Sequence, residues 1–437
     1  MIFQALMLGG SNIFRYFCAA KQYVVSEHVS LIGFYVFGHS FFQKTRRTMN
    51  KKRLVFILGN LTAFGPFITD FYLPCLPELT AYFGGSASLI QLSLTAGMLG
   101  LAAGQLLVGP VTDKYGRRRP LLWCLLLFVL ATAGCMLSTR ISAFILFRLL
   151  QGLTGAAGLV ISKAIIADSF TGQDVARYFA VLAAVQGVAP IVAPVVGGVA
   201  FSLTSWQGTF AVLGIWALGL LAVCRRMPES LAEKDRLQMP VWKTFRCYVP
   251  VVTNGKYLVM NLLQSFSAAA LIADISASPF IFQQHFGLTP LQYSICFAGN
   301  ALGLVVGSSV VMKIRRLASA TPWCSVGLFV TGLLMSVALW LEWPFVLFEL
   351  VLVPMLFCVG MITPVGITLA LNSVTEHRGI ASALLGALPF LFGGIVAPLT
   401  GLGDMIRSMT TLVLLCSVIC LGLYLCSRRW DYSAPEN

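Results

Sequence analysis

Twelve stretches of this chain are apolar over about 20 residues. They run 53–75, 88–109, 120–138, 143–164, 177–203, 207–224, 256–282, 291–312, 322–341, 344–369, 379–402 and 409–427. A helix rises ~1.5 Å per residue, so a run of that length crosses a hydrocarbon core of ~30 Å. Burial in a water-soluble core does not explain the pattern: soluble domains carry roughly 25% charged residues, whereas this chain is 11% charged and 58% hydrophobic. Within lipid every backbone polar group must be satisfied inside the segment itself. The fold class expected is an all-α polytopic membrane protein with twelve transmembrane helices.

The formal net charge is +14, but the cations are not gathered into one patch, and nucleic acid is excluded as a partner. They fall in short clusters between apolar runs: Lys51-Lys52-Arg53, Lys114 with Arg117 to Arg119, Arg225-Arg226, Lys313 with Arg315-Arg316, and Arg428-Arg429. The alternate loops hold only Arg140 and Arg407. Lys and Arg confined to every second loop keep those loops in the cytoplasm, which places both termini there. The longest polar connection, 225–255, follows the sixth run. It divides the chain into an N-terminal six-helix bundle (49–224), a cytoplasmic linker (225–255), a C-terminal bundle (256–427) and a short tail (428–437). An even split of this kind is what two pseudo-symmetric repeats give.

Residues 1–48 break their apolar patches with Arg15, Lys21, Glu27 and two histidines, without the layout of a secretory signal. The simplest reading is a doubtful N-terminal extension from an upstream start, with Met49 as the natural beginning; an amphipathic segment resting on the membrane is the alternative. The twelve cysteines are scattered singly through apolar runs, with no CxxC, which fits small hydrophobic side chains rather than a metal site or disulfide framework. A membrane enzyme such as a lipid-carrier transferase needs acids or histidines clustered at one membrane edge, but His285 and His377 are isolated on opposite sides.

Intramembrane polar residues then carry the functional reading. In "TDFYLPCLP" (69–77), Asp70 sits inside an apolar run and is followed by Pro74 and Pro77. Asp274 lies at a similar depth in the seventh run. A carboxylate near the bilayer interior costs about 2.5–3.5 kcal/mol and needs a partner or a proton. In "RLLQGLTGAAG", Arg148 lies near the outer end of the fourth run, in the same layer as Asp70. Gln151, Gly152, Gly155 and Gly158 follow it, a small-residue face for close packing. Lys163, near the inner end, is read as snorkelling. "GPVTDKYGRRRP" (109–120) joins the second and third runs: Gly109 is expected to permit close helix contact and Gly116 a tight turn. Asp113 stands there among Lys114 and Arg117 to Arg119. In "VQGVAPIVAPVVGG" the fifth run repeats Pro190 and Pro194 before Gly197 and Gly198, as a kinked, closely packed helix would require.

The 109–120 loop resembles the signature loop of the major facilitator superfamily, and the fifth run looks like the antiporter motif of its proton-driven exporters. Together with "TDFYLPCLP" and Arg148, and with "ASPF" at 277–280 and "GIASALLGALPF" at 379–390, the pattern resembles the bicyclomycin/chloramphenicol-resistance family of drug:proton antiporters over roughly residues 50–428. The resemblance implies a major facilitator fold, the bacterial inner membrane, and proton-coupled export of small molecules. Two departures stand out. The corresponding second-half loop, "MKIRRLASATP", lacks the acid and the glycine. Thr62 stands where some multidrug relatives carry a further acid on the first helix, which leaves Asp70 as its only embedded acid.

These readings combine into a mechanism of alternating access driven by the proton gradient, with no cofactor and with the chain acting as a monomer. Asp70, Arg148 and Asp274 are the candidates for proton coupling. Phe67, Tyr72, Gln186, Gln264, Asn300 and Asn372 are the candidate walls of a midplane cavity. Gly109, Asp113, Gly116, Arg117, Arg118 and Asp168 are expected to form a cytoplasmic latch that closes the inner side when the transporter faces out. Cargo stays open between amphipathic drugs, which suit a mostly apolar cavity, and a metabolite such as a nucleoside or amino acid, which needs several polar contacts.

Overall fold

The computed structural model describes residues 50–171, 173–238, 244–311, 313–314, 317–374, 378–430 and 432. The expectation about residues 1–48 lies outside them. Among the described residues all regular structure is helical, and twelve helices are long and apolar enough to cross a membrane. They are α1 (Lys51–Asp70), α2 (Ala87–Tyr115), α3 (Arg118–Leu137), α4 (Ile141–Ser169), α5 (Gln173–Leu203), α6 (Trp206–Cys224), α7 (Gly255–Phe280), α8 (Pro290–Val311), α9 (Thr321–Trp340), α10 (Phe345–Asn372), α11 (Arg378–Leu399) and α12 (Met405–Ser427).

Local chemistry sets where several of them end. Pro74 and Pro77 lack an N–H and clash with the preceding turn. The regular helix accordingly stops at Asp70, and a 3₁₀ turn, Leu73–Cys75, leads into a short helix, Leu76–Phe83. The first span therefore runs past residue 75, where its apolar run fades, to a cap at Gly84 with φ +62°. α2 and α4 also outrun their apolar stretches, reaching Tyr115 and Ser169. Their polar last turns leave the apolar zone and carry Asp113 and Asp168 toward each other. Pro279 precedes a π turn, Ile281–His285, at the end of α7.

The packing repeats itself. α4 packs on α1, α2 and α3, α1 on α5, and α3 on α6; six helices later α10 packs on α7, α8 and α9, α7 on α11, and α9 on α12. The two sets meet through α2 with α11 and α5 with α8. The crossing of α2 and α4 depends on glycine: a Cβ at Gly152 would stand 2.0 Å from the Gly97 carbonyl oxygen. Small residues let backbones approach in this way when lipid supplies no hydrophobic drive between helices. Leu137, Leu203 and Trp323 are the most outward-facing of many exposed apolar side chains, as a lipid-facing surface requires.

Two ends of the bundle can be distinguished: a basic face, where α1 begins and α2 ends, and a far face beyond Asp70. Several contacts between the halves lie toward the far face. Ser88 Oγ donates to the Pro398 carbonyl (2.9 Å), Gln91 Nε2 to Ser276 (2.9 Å) and Gln283 Nε2 to Pro74 (3.3 Å). Deeper in, Gln105 Nε2 donates to Gly386 (3.3 Å) and the Tyr248 hydroxyl to Leu106 (3.2 Å).

Candidate functional site

Asp70 is the last residue of α1 and is 6% exposed. Arg148, fully buried on α4, lies in the same layer. Its Nη2 donates to the Ile68 carbonyl (2.8 Å), its Nη1 donates to Gln151 Oε1, and its guanidinium carbon stands 4.1 Å from the Tyr72 ring centroid. Gln151 in turn donates to Thr132 on α3 (2.8 Å). Arg148 thus grips the backbone two residues before Asp70 and stacks under the aromatic ring two residues after it. Neither Asp70 nor Arg148 belongs to an ion pair among the described residues. The shared layer is as expected, but the arginine's charge is held by a carbonyl, an amide and a ring rather than by the carboxylate.

Gly197 seats this corner. A Cβ there would come within 1.8 Å of the Phe71 carbonyl oxygen, and one at Gly198 within 2.2 Å of Ser294 Oγ on α8. The second half of the proline-glycine motif therefore lets α5 touch the exit of α1 on one side and α8 on the other. Pro190 and Pro194 lie inside α5, which continues through them.

The charged loop closes into a network at the basic face. Arg117 Nε donates to Asp168 Oδ2 (2.9 Å), and its Nη1 donates to Thr112 Oγ1 (3.1 Å) and to Asp113. Burial works against the Arg117 charge, but its hydrogen bonds to Asp168 and Asp113 prevail and leave its pKa raised. The Glu229 carboxylate, which the sequence reading passed over, accepts from the backbone N–H of Arg117 (2.7 Å) and of Arg118 (3.0 Å). Ser230 donates to Asp168 (3.0 Å), Leu237 N–H to the Asp113 carbonyl (2.9 Å), and Arg118 to the Arg225 carbonyl. Gly116 makes the turn at φ +87°, where a Cβ would strike the Glu229 carboxylate. Gly109 corrects its expectation: nothing lies within 4 Å of where its Cβ would be, so it makes no close helix contact. Every partner just named lies between residues 112 and 237. The network ties the linker to the first half.

In the second half Asp274 is 4% exposed, and its Oδ1 has no hydrogen-bond partner among the described residues. Tyr293, which shares a hydrogen bond with Ser278 (3.3 Å), is within electrostatic reach of both Asp274 and Asp70. Asn300 donates to Glu349 Oε1 (3.2 Å) on α10. Glu349 was missed in sequence because it stands in the first turns of an apolar run, where an acid reads as loop edge.

The remaining wall candidates part company. Phe67 and Tyr72 turn to α6, with ring centroids 4.8 Å from Trp216 and 5.7 Å from Phe210. Gln264 is buried and donates to Leu385 and Asn261 (both 3.0 Å), which spends it on joining α7 to α11. Gln186 is half-buried on α5, and Asn372 is the exposed last residue of α10 rather than a mid-span side chain. The cysteines of the described residues are free, and no group of three or more His, Cys, Asp or Glu with metal-site proximity occurs among them.

With this geometry in place, similarity to known proteins is informative. The family profile of the Major Facilitator Superfamily matches residues 55–398. An uncharacterised MFS-type transporter of Bacillus subtilis, YdgK, is 35% identical over 363 residues, covering 80% of this chain and 89% of its own. A bicyclomycin resistance protein homologue of Haemophilus influenzae is 26% identical over 367 residues, covering 80% and 90%. A D-xylose–proton symporter structure superposes with a TM-score of 0.69 at 14% identity, covering 87% of this chain and 97% of its own.

Proposed function

This chain belongs to the Major Facilitator Superfamily, and we propose that it exports small amphipathic antibiotics, of the bicyclomycin or chloramphenicol kind, across the bacterial inner membrane in exchange for protons. As a superfamily member it is a multi-pass membrane transporter, not an enzyme. In this reading the basic face is cytoplasmic. Cargo enters between the halves from that side, the halves rock about the contacts of α2 with α11 and α5 with α8, and the proton gradient resets the cycle without a cofactor.

The observation that carries the reading is Asp70: a carboxylate closing α1, 6% exposed and outside any ion pair among the described residues. Arg148 lies in the same layer but spends its charge on the Ile68 carbonyl, Gln151 and the Tyr72 ring. A carboxylate so placed changes state when hydration changes. Bending at Pro74 and Pro77, beside the Gly197 contact, is what would change the hydration. The membrane potential adds about 2.3 kcal/mol per charge per 100 mV to any cycle that moves a proton inward.

The test is chloramphenicol uptake into everted vesicles from a pump-deficient host under an imposed pH gradient. The wild-type chain should accumulate the drug uphill and Asp70→Asn should not. Equal accumulation by the variant would remove Asp70 from coupling, and no accumulation by either would remove the drug.

A further inference from the structure

Pro110 sits inside α2, which continues through it to Tyr115. Proline has no N–H to offer the carbonyl four residues earlier, and its ring crowds that carbonyl. The acceptor released in this way is the Leu106 carbonyl. Within a membrane span a freed carbonyl is tolerated when a neighbouring group satisfies it. The Tyr248 hydroxyl does so: it lies 142 residues further along the chain, in the linker, and donates to the Leu106 carbonyl at 3.2 Å.

The donor and the acceptor belong to different halves. Tyr248 opens a short helix, Tyr248–Thr253, at the end of the linker, and this helix packs on α7 and α11. Its Val251 is 2% exposed, in one apolar cluster with Tyr257 and Leu385. Asn254 follows it, accepting from the Tyr257 N–H (3.0 Å) to cap α7 and donating to the Ser373 carbonyl just beyond α10 (2.9 Å). The short helix is therefore fixed to the second half, whereas Leu106 stands on α2. The preceding residue of α2, Gln105, already touches α11: a Cβ at Gly386 would lie 2.0 Å from its Oε1. Tyr248 makes the next link toward the basic face. It lies nearer that face than the inter-half bonds of Ser88, Gln91 and Gln105.

We infer that Tyr248 is a positioning residue of the transport cycle: a strut fixed to the second half, ending on the α2 carbonyl that Pro110 releases, which holds α2 beside α11 in this state. The linker then has two separate tasks. Residues 229–237 stay with the first half through the basic-face network, while the helix at 248–253 joins one half to the other. Breaking the strut frees the basic-face ends of α2 and α11 to move relative to each other, and this state loses population. The inference rests on the export reading only for the rocking of the halves, not for the cargo or the proton.

The experiment uses the full chain in lipid nanodiscs and two readouts: distances between spin labels at the basic-face ends of α4 and α10, and hydrogen–deuterium exchange across residues 247–254. Tyr248→Phe keeps the ring and removes the donor. It should change the ratio of the distance populations about fivefold, as the loss of one hydrogen bond does, and should speed exchange in the short helix. Pro110→Ala returns an N–H to the Leu106 carbonyl and should act in the same direction with Tyr248 untouched. The double variant should go no further than the larger single effect, because both changes remove the same bond. Wild-type distances and exchange in Tyr248→Phe overturn the strut. Effects that add in the double variant overturn the pairing of Pro110 with Tyr248, since Pro110 would then act through the shape of α2 alone. Neither readout needs a drug or a pH gradient, so failed chloramphenicol accumulation in vesicles counts against the export reading alone.

Discussion

α4 and α10 occupy equivalent places in the two halves, each packed on the three helices before it in its own half, yet they carry opposite charges. α4 places Arg148 in the interior, sealed by Tyr72, Gln151 and a carbonyl. α10 places Glu349, half-buried, beside its outward-facing Val346 and Leu350 with one amide for company. The acids they accompany differ in consequence. Asp70 has a guanidinium in its layer, whereas Asp274 has a second carboxylate within reach and an oxygen without a hydrogen-bond partner among the described residues. Repeated architecture with inverted charge thus sets the two buried acids among different neighbours.

The sharpest way to break that comparison is to remove each acid in turn. Asp70→Asn should abolish gradient-driven accumulation in everted vesicles, while Asp274→Asn should slow it and leave an uphill gradient. Reversal of the two outcomes would move coupling to the second half. Stability should separate the two helices next. Arg148→Met empties a fully buried, hydrogen-bonded position and takes the donor from Gln151 Oε1 and from the Ile68 carbonyl, so a loss of about 1–3 kcal/mol for each orphaned acceptor is expected. Glu349→Gln keeps an acceptor for Asn300 and breaks no ion pair among the described residues, and should cost less than about 1 kcal/mol. Thermal unfolding of the detergent-solubilised variants checks both.

Much of this was legible in the chain, and the reason is lipid. A bilayer imposes length and apolarity on each span, so twelve helices could be read from hydropathy, and Asp70, Arg148 and the Gly197 contact stood out because polar and small residues within spans are rare. What stayed hidden depended on direction. Hydropathy does not say which way Phe67 and Tyr72 turn, and both turn to α6. It does not say that Gln264 serves α11, nor that Gly109 faces open space while Gly116 meets Glu229. Glu229 lies in a linker with no periodicity, and only the folded chain brings it to the loop.

Backbone contact predicts an intermediate effect. Gly197→Ala forces a Cβ against the Phe71 carbonyl, 1.8 Å away with no flexible side chain to yield. Overpacking of this kind costs about 1–3 kcal/mol, and it should push α5 off the exit of α1. Reduced export with retained membrane insertion is the expected result. Wild-type export would mean that the α1 exit does not need α5.

The smallest effects belong to the basic-face network, and there exposure decides the order. The side chains of Asp168 and Arg117 are 15% and 10% exposed, whereas that of Asp113 is 50% exposed. Solvent screens the Asp113 pair, and exposed ion pairs contribute only about 0–1 kcal/mol. Asp113→Asn should therefore slow export less than Asp168→Asn, although the loop motif makes Asp113 the more conspicuous residue. The network joins the linker to the first half, so it would act by holding residues 229–237 away from the path between the halves, not by bridging them. A conformational equilibrium balanced within a few kcal/mol still responds to such a tether. Spin labels at the basic-face ends of α4 and α10 should report a shifted distance distribution in Asp168→Asn and in Glu229→Gln, and a smaller shift in Asp113→Asn. If the distribution in Asp168→Asn matches the wild type and export is undiminished, the cations of this loop only anchor the chain at the membrane edge.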